Sequence, residues 1–517
     1  MRRTCLFTLA GLALLAPAAL PAADIARGVV FEDRNANGRR DAGEPGIAGV
    51  PVSNRRDVVL TDAEGRYALP VGDDDIIFVT KPTNYAVPVN KLNIPQHYYV
   101  HRPAGSPTLY YRGVAPTGPL PESIDFPLVS RPEPEKFSVV VFSDPQPQTI
   151  QEVRWIQEDV LQELLGTRAV FGLTLGDIMF DDLDLFDPYN TAIAHIGIPF
   201  YNVLGNHDMN FDAVNDEESD ETFTRHFGPA NYSWRYGKVH FIALDNIVHN
   251  GRNADGRANY TESLSDAALD WLANDIAVVP DDYLVVIAGH APFWNPVNKR
   301  AVGNLPRLLE ILSKRQRVLA LSGHTHYNSR TIYGAEQGWT GPGSFQELNC
   351  VTVCGSWWSG PKDVRGVAIA DSRDGTPNGY TVAEFDGTDY KLRFKAAGLP
   401  ADFQMRIYPP GQHNNGDAPA RRLLANIFYG APGDKVEYSL NGGEWLPMAF
   451  TPQKDPLAQA LYEGPVDSGK PWVNASQSWH IWEARLDERL PAGSHVVTVR
   501  STTIDGEVIE SSRIFNR

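Results

Sequence analysis

Eight side chains in the middle of this 517-residue chain could bind metal ions and move protons. They stand in five short motifs: Asp144-Pro145-Gln146, Gly176-Asp177, Gly205-Asn206-His207-Asp208, Gly289-His290 and Gly323-His324-Thr325-His326. Two carboxylates, two amides and four imidazoles form a donor set for a pair of divalent ions of the manganese, iron or zinc type. Two ions about 3.5–4 Å apart clamp both the attacking and the leaving oxygen of a displacement at phosphorus, so the chemistry would be hydrolysis of a phosphate ester. Each motif alone is weak, because a lone histidine after a strand is usually a structural hydrogen-bonder. Their number and order carry the reading.

The elements that must bring them together are legible as short apolar runs. Phe137 to Phe142 precedes Asp144, Val170 to Leu175 precedes Asp177, and Ile198 to Leu204 precedes Asn206. Leu284 to Ala288 precedes His290, and Val318 to Leu321 precedes His324. Continuous runs of this length predict strands buried on both faces. Polar residues directly after such strands line one edge of an open α/β sheet, where ligands bind.

From about Lys136 to Phe394 the chain resembles the calcineurin-like metallophosphoesterases, whose pattern is D-x-H, GD, GNH[DE], GH and GHxH. Four blocks match, and at the first Gln146 stands where the family usually has His. The resemblance implies a central α/β sandwich of sheets flanked by helices. It implies a first ion held by Asp144, Gln146, Asp177 and His326, and a second held by Asp177, Asn206, His290 and His324. Asp177 is shared, and a water or hydroxide between the ions is the nucleophile. Asp177 and Asn206 count among the catalytic groups, and His207 protonates the leaving alkoxide. Asp208 orients the loop. An amide oxygen is harder than an imidazole nitrogen, so Gln146 should weaken the first position and favour manganese over zinc or iron. Phe293-Trp294-Asn295 and the loop Gly355 to Gly360, with Trp357 and Trp358, are placed to approach the substrate, with Asp374 to Tyr380 beside them. Core packing is an equal reading of the two tryptophans. Asp181, Asp182 and Asp184 read as a solvated loop.

The flanks differ from the core. Asp33, Asn35, Asn37, Asp41 and Glu44 fall at positions 1, 3, 5, 9 and 12 of a calcium loop, with Gly38 at the turn and the Arg39 carbonyl at 7. The neighbouring segments look like strands, not the helices of an EF-hand, and the pattern resembles the calcium-loaded repeats of Gram-positive surface adhesins. Arg131 to Glu135, with alternating Pro, reads as a linker. After Leu399-Pro400, short alternating strands and the Asn441-Gly442 and Asp505-Gly506 turns predict an all-β sandwich of immunoglobulin or fibronectin type. Trp445, Trp479 and Trp482 there read as packing more than as a sugar-binding face.

Composition narrows the function classes. The formal net charge is −17 and no Lys/Arg cluster appears, which argues against nucleic-acid binding. Arg2, Arg3 and the apolar stretch Leu6 to Leu15, ended by Ala22 and Ala23, read as a secretory signal. No later stretch is long enough to span a membrane. Cys350 and Cys354 then remain, in an oxidising compartment, as either a local disulfide or two buried thiols.

The sequence therefore predicts a signal peptide (1–23), an N-terminal immunoglobulin-like β-domain with a calcium loop (24–133), a metallophosphoesterase core (134–394) and a C-terminal immunoglobulin-like β-domain (395–517). The expected protein is an exported, periplasmic or extracellular enzyme. It hydrolyses a small-molecule or envelope phosphomonoester or phosphodiester with two divalent ions (Mn, Fe or Zn), and its β-domains contact carbohydrate or surface. The competing reading is a surface adhesion protein whose phosphoesterase core is vestigial.

Overall fold

The computed structural model describes residues 24–253, 256, 258–411, 421–464, 469–487 and 489–517. The expected signal segment lies outside the described residues. Two sheets form the centre. One has five strands in the order Phe200–Asn202, Phe171–Thr174, Lys136–Phe142, Gly379–Asp386 and Asp389–Ala396. The other has six, in the order Tyr232–Tyr236, Val239–Ala243, Leu284–Ala288, Arg317–Ser322, Ser344–Asn349 and Ser329–Ile332. The motif-bearing strands run parallel: Lys136–Phe142 with Phe171–Thr174, that strand with Phe200–Asn202, and Leu284–Ala288 with Arg317–Ser322. Their C-terminal ends therefore share one edge within each sheet, as the sequence predicts.

The apolar runs are continuous because both faces of these strands are covered. Val139 and Val141 pack into a core with Phe171, Leu173, Phe241 and Leu319, while Val140 and Phe142 pack on the opposite side with Ile156, Phe186 and Tyr189 from outer helices. Alternate side chains feed different cores, the period of two that a strand imposes. Each fully buried Val or Phe contributes about 1.5–3 kcal/mol of transfer free energy.

The N-terminal segment folds as two four-stranded sheets over a core of Val30, Val52, Leu69 and Phe126. The C-terminal segment likewise forms two four-stranded sheets, over Leu423, Ile427, Trp482 and Val499. Asn441 (φ 52) and Gly442 (φ 74) make the expected hairpin turn between paired strands. Trp482 is core, and Trp445 lies 4.0 Å from the Arg500 guanidinium, so these two tryptophans pack within the domain.

Both flanks are stitched to the centre by buried polar contacts. The Pro-rich stretch 131–135 is not a free spacer. Lys81 Nζ lies 2.6 Å from Glu133 Oε1 and donates to the Arg235 carbonyl, while Glu133 also accepts from Gly237 N. On the other side His480 Nε2 lies 2.9 Å from Asp374 Oδ2, and His480 Nδ1 lies 2.6 Å from Asn426 Oδ1. Asn426 donates to Asp455, which accepts from Tyr408 OH. All of these side chains are buried. Asp374 is thus a joint between segments, Tyr380 packs in the core, and Asn378 of the same turn packs beside Gly355, as expected. Among the described residues no helix is long and apolar enough to cross a membrane.

Candidate metal centre

The loops after the five strands converge. Around Asp177, the nitrogen and oxygen donors approach one point. His290 Nε2 lies 3.2 Å from Asp177 Oδ1, 3.0 Å from Asn206 Oδ1 and 3.1 Å from His324 Nδ1. Donors bound at about 2.0–2.2 Å around one ion stand apart by similar distances, so these four atoms fit a single divalent ion. Asp177, His290 and His324 form the one possible metal-holding group found among the described residues. The four residues expected at the second position thus lie beside one another.

Each ring is oriented from behind. His290 Nδ1 lies 2.8 Å from the Leu175 carbonyl and His326 Nδ1 lies 2.6 Å from that of Gly355, which leaves each Nε2 facing the centre. Hydrogen bonding at one nitrogen fixes the tautomer that the other presents to a metal. His324 Nε2 lies 3.4 Å from Glu262, on the Ala258–Glu262 strand. Asn246 Oδ1 accepts from His290 N and Ala291 N, and Glu347 accepts from Phe293 N and Trp294 N. Asn246, Glu262 and Glu347 carry no motif, and only tertiary pairing reveals them. Phe293 is part of the core, so it does not line the pocket.

Two motif glycines are needed for close approach. A Cβ on Gly205 would lie 2.0 Å from the Asp177 backbone nitrogen, and one on Gly323 would lie 2.5 Å from Asp144 Oδ2. No side chain fits in either gap. Asp144, Gln146, Asp177, His324 and His326 all have positive φ, between 43° and 75°. Left-handed backbone is costly for such residues and concentrates at functional sites.

Residues expected at the first position also lie close together. Asp144 and His326 meet there, with His326 Nε2 3.5 Å from Asp144 Oδ1. Gln146 is present but its amide is turned. Its Nε2 donates to Asp177 Oδ2 at 2.8 Å, and its Oε1 accepts from the Trp357 indole N–H at 2.7 Å. Trp357 stacks on His326 at 3.8 Å, whereas Trp358 is buried in the core. Of the two tryptophans, one belongs to the site and one to packing. Cys350 and Cys354 are free and buried, so the disulfide alternative does not hold. Burial pushes the Cys354 thiol well above its usual range.

His207 is set beside the centre. Its side chain is 25% exposed, its ring stacks on Phe180, and its Nδ1 lies 2.5 Å from Asp181 Oδ1. Asp181 is therefore the partner of His207, on a loop that leaves its own side chain 47% exposed, as a solvated loop would. Burial opposes charge on His207, but Asp177 and Asp181 outweigh it and raise the pKa. The same balance raises His290, where Asp177 overcomes burial. Asp177 itself is lowered, because the surrounding imidazoles overcome its burial. A carboxylate this deep calls for a cation, which a proton on imidazole or a divalent ion can supply. Asp208 accepts from Ile178 N, Met179 N and Gly205 N and so orients the loop, as expected.

Paired sheets with carboxylates and imidazoles at their strand ends define a class: hydrolases that use divalent ions on phosphate esters. Three family models match along the chain. They are the N terminal of calcineurin-like phosphoesterase over residues 34–111, calcineurin-like phosphoesterase over 137–328, and the C terminal of calcineurin-like phosphoesterase over 347–508. The chain belongs to the calcineurin-like phosphoesterase family and is a metal-dependent phosphoric ester hydrolase. The structure of purple acid phosphatase PPD1 from yellow lupin (Lupinus luteus) seeds is similar over 72% of this chain and 67% of that one, at 12% identity and a TM-score of 0.35, a likeness too low to carry an argument. Comparison with curated proteins gave no match.

Proposed function

We propose that this protein is an exported phosphoesterase, periplasmic or extracellular, that cleaves a phosphomonoester or phosphodiester at a dinuclear centre. The observation that carries the reading is the gathering of Asp177, Asn206 and His324 donors 3.0–3.2 Å from His290 Nε2. These four residues would hold the second ion, and Asp144, Asp177 and His326 would hold the first. Divalent ions (Mn, Fe or Zn) held there would neutralise charge on the phosphoryl oxygens and lower the pKa of the attacking water. Asp177 fixes the spacing of the two positions. His207, gripped at Nδ1 by Asp181, keeps its Nε2 proton for the leaving oxygen. Asp208 holds the backbone that carries Asn206 and His207. The substrate is a small-molecule or envelope phosphate ester.

The flanking β-domains, read as immunoglobulin-like, complete the proposal. In the N-terminal one, Asp33 accepts from Asn37 N and Gly38 N, and Glu44 accepts from Arg34 N and Asp41 N. Asn35 and Asn37 both donate to Asp41. Asp33, Asn35, Asn37, Asp41, Glu44 and the Arg39 carbonyl would hold calcium in this curled loop. Carbohydrate or surface contact through these domains belongs to the same reading.

The test measures metal content and nitrophenol release from nitrophenyl phosphate and bis(nitrophenyl) phosphate on one preparation. Bound metal with turnover of either ester is expected. Neither metal nor turnover would support the adhesion reading.

A further inference from the structure

We infer that Trp357 is a positioning residue of the first metal position: its indole N–H captures the amide oxygen of Gln146 and turns the amide NH2 onto Asp177. That position is thereby left short of one oxygen donor and becomes the weaker of the two. The inference rests on the proposed two-ion centre and names what regulates occupancy within it.

The orientation of the amide is fixed from both ends. An indole N–H can only donate, and a carboxylate can only accept. The 2.7 Å contact from Trp357 therefore requires the oxygen of Gln146, and the 2.8 Å contact to Asp177 Oδ2 requires its NH2. An amide NH2 offers no lone pair to a metal. The two oxygens of Asp177 also divide. Oδ1 accepts from His207 N at 3.0 Å and lies 3.2 Å from His290 Nε2, on the side of the second position. Oδ2 is the oxygen that Gln146 occupies. Gln146 thus takes up donor capacity at the first position instead of adding to it.

Trp357 is held for this task from the C-terminal segment. Its φ is +56°, a conformation that a bulky residue keeps only when its surroundings impose it. It stacks on His326 at 3.8 Å and takes an edge contact from Trp472 at 4.6 Å. Lys470 Nζ donates to the Trp357 carbonyl and pairs with Glu152 at 3.0 Å. Two residues of the C-terminal segment thereby fix a side chain at the metal centre. A role for Trp357 as a plain pocket wall would not require its N–H to meet Gln146.

The experiment is calorimetric titration of manganese chloride into chelator-stripped wild type, Trp357→Phe and Gln146→Ala, with melting curves to check folding. Phe keeps the stack on His326 but lacks the N–H, so the amide can turn its oxygen to the ion. Wild type should show one tight and one weaker site. Trp357→Phe should tighten the weaker site about tenfold or more, the scale of outer-shell effects on metal affinity, and leave the tight site unchanged. Gln146→Ala should leave the weaker site unchanged or tighten it. If Trp357→Phe leaves the weaker site as it was or loosens it, the inference is overturned. Weakening of that site by Gln146→Ala overturns it too, because the amide oxygen would then be a ligand. No manganese binding by wild type would sink the two-ion centre itself, a distinct result.

Discussion

In the proposed reaction His207 and Asp181 divide one task between them. The carboxylate holds Nδ1 at 2.5 Å and, with Asp177, favours the charged imidazole against burial, and the other nitrogen delivers the proton. His207→Ala should retain metal while turnover falls by about 10²–10⁴, the scale of general acid catalysis. The loss should shrink with nitrophenolate as leaving group, which needs little protonation. A steady-state series of esters with graded leaving groups checks this, and equal losses throughout would reassign His207 to holding the phosphate. At this scale the sequence was legible where a residue type has one chemical use. The carboxylates and imidazoles of the motifs meet as their order predicts. Gln146 was less legible because an amide has two faces, and its contact with Trp357, far away in the chain, leaves no mark in the motif. Asp181 does lie in a solvated loop, and its contact with His207 shows only once the histidine is placed beside it.

Strands and loops carry the next part of the account. The apolar runs announced the parallel strands well because burial on both faces leaves no room for alternation. The joints between segments left no such trace. His480, Asp374, Asn426 and Asp455 are scattered singly in sequence, yet form one buried network. Burial alone would raise Asp374, but His480 and two backbone donors hold its pKa below the usual carboxylate value. A folded pKa below the unfolded one means the stabilisation is present above about pH 4 and is lost as pH falls through the folded value. Asp374→Asn should cost about 3–5 kcal/mol near neutrality, the penalty for breaking a buried pair. Urea midpoints of wild type and variant should differ widely at pH 7 and converge toward pH 3. A difference independent of pH would mean that the carboxylate charge is not what holds the joint.

The whole molecule adds two expectations and the central one. Calcium at about 100 times its dissociation constant should add roughly 2.7 kcal/mol to the N-terminal domain. Asp33→Ala or Glu44→Ala should abolish the resulting rise in melting temperature and leave phosphoesterase turnover in place. An unchanged wild-type melting curve would reduce the loop to a turn. Export predicts that intact-mass measurement on native material finds the chain starting near Ala23 or Asp24. Retention of the preceding residues on the folded protein would contradict export. Above these stands the claim that one metal centre around Asp177 does the chemistry. The most direct measurement is hydrolysis of bis(nitrophenyl) phosphate and nitrophenyl phosphate by chelator-stripped wild type and Asp177→Asn, each titrated with manganese. The account predicts negligible turnover in the stripped wild type, recovery as manganese is added, and no recovery in Asp177→Asn at any concentration. Turnover that survives stripping, or that Asp177→Asn recovers equally, would contradict it.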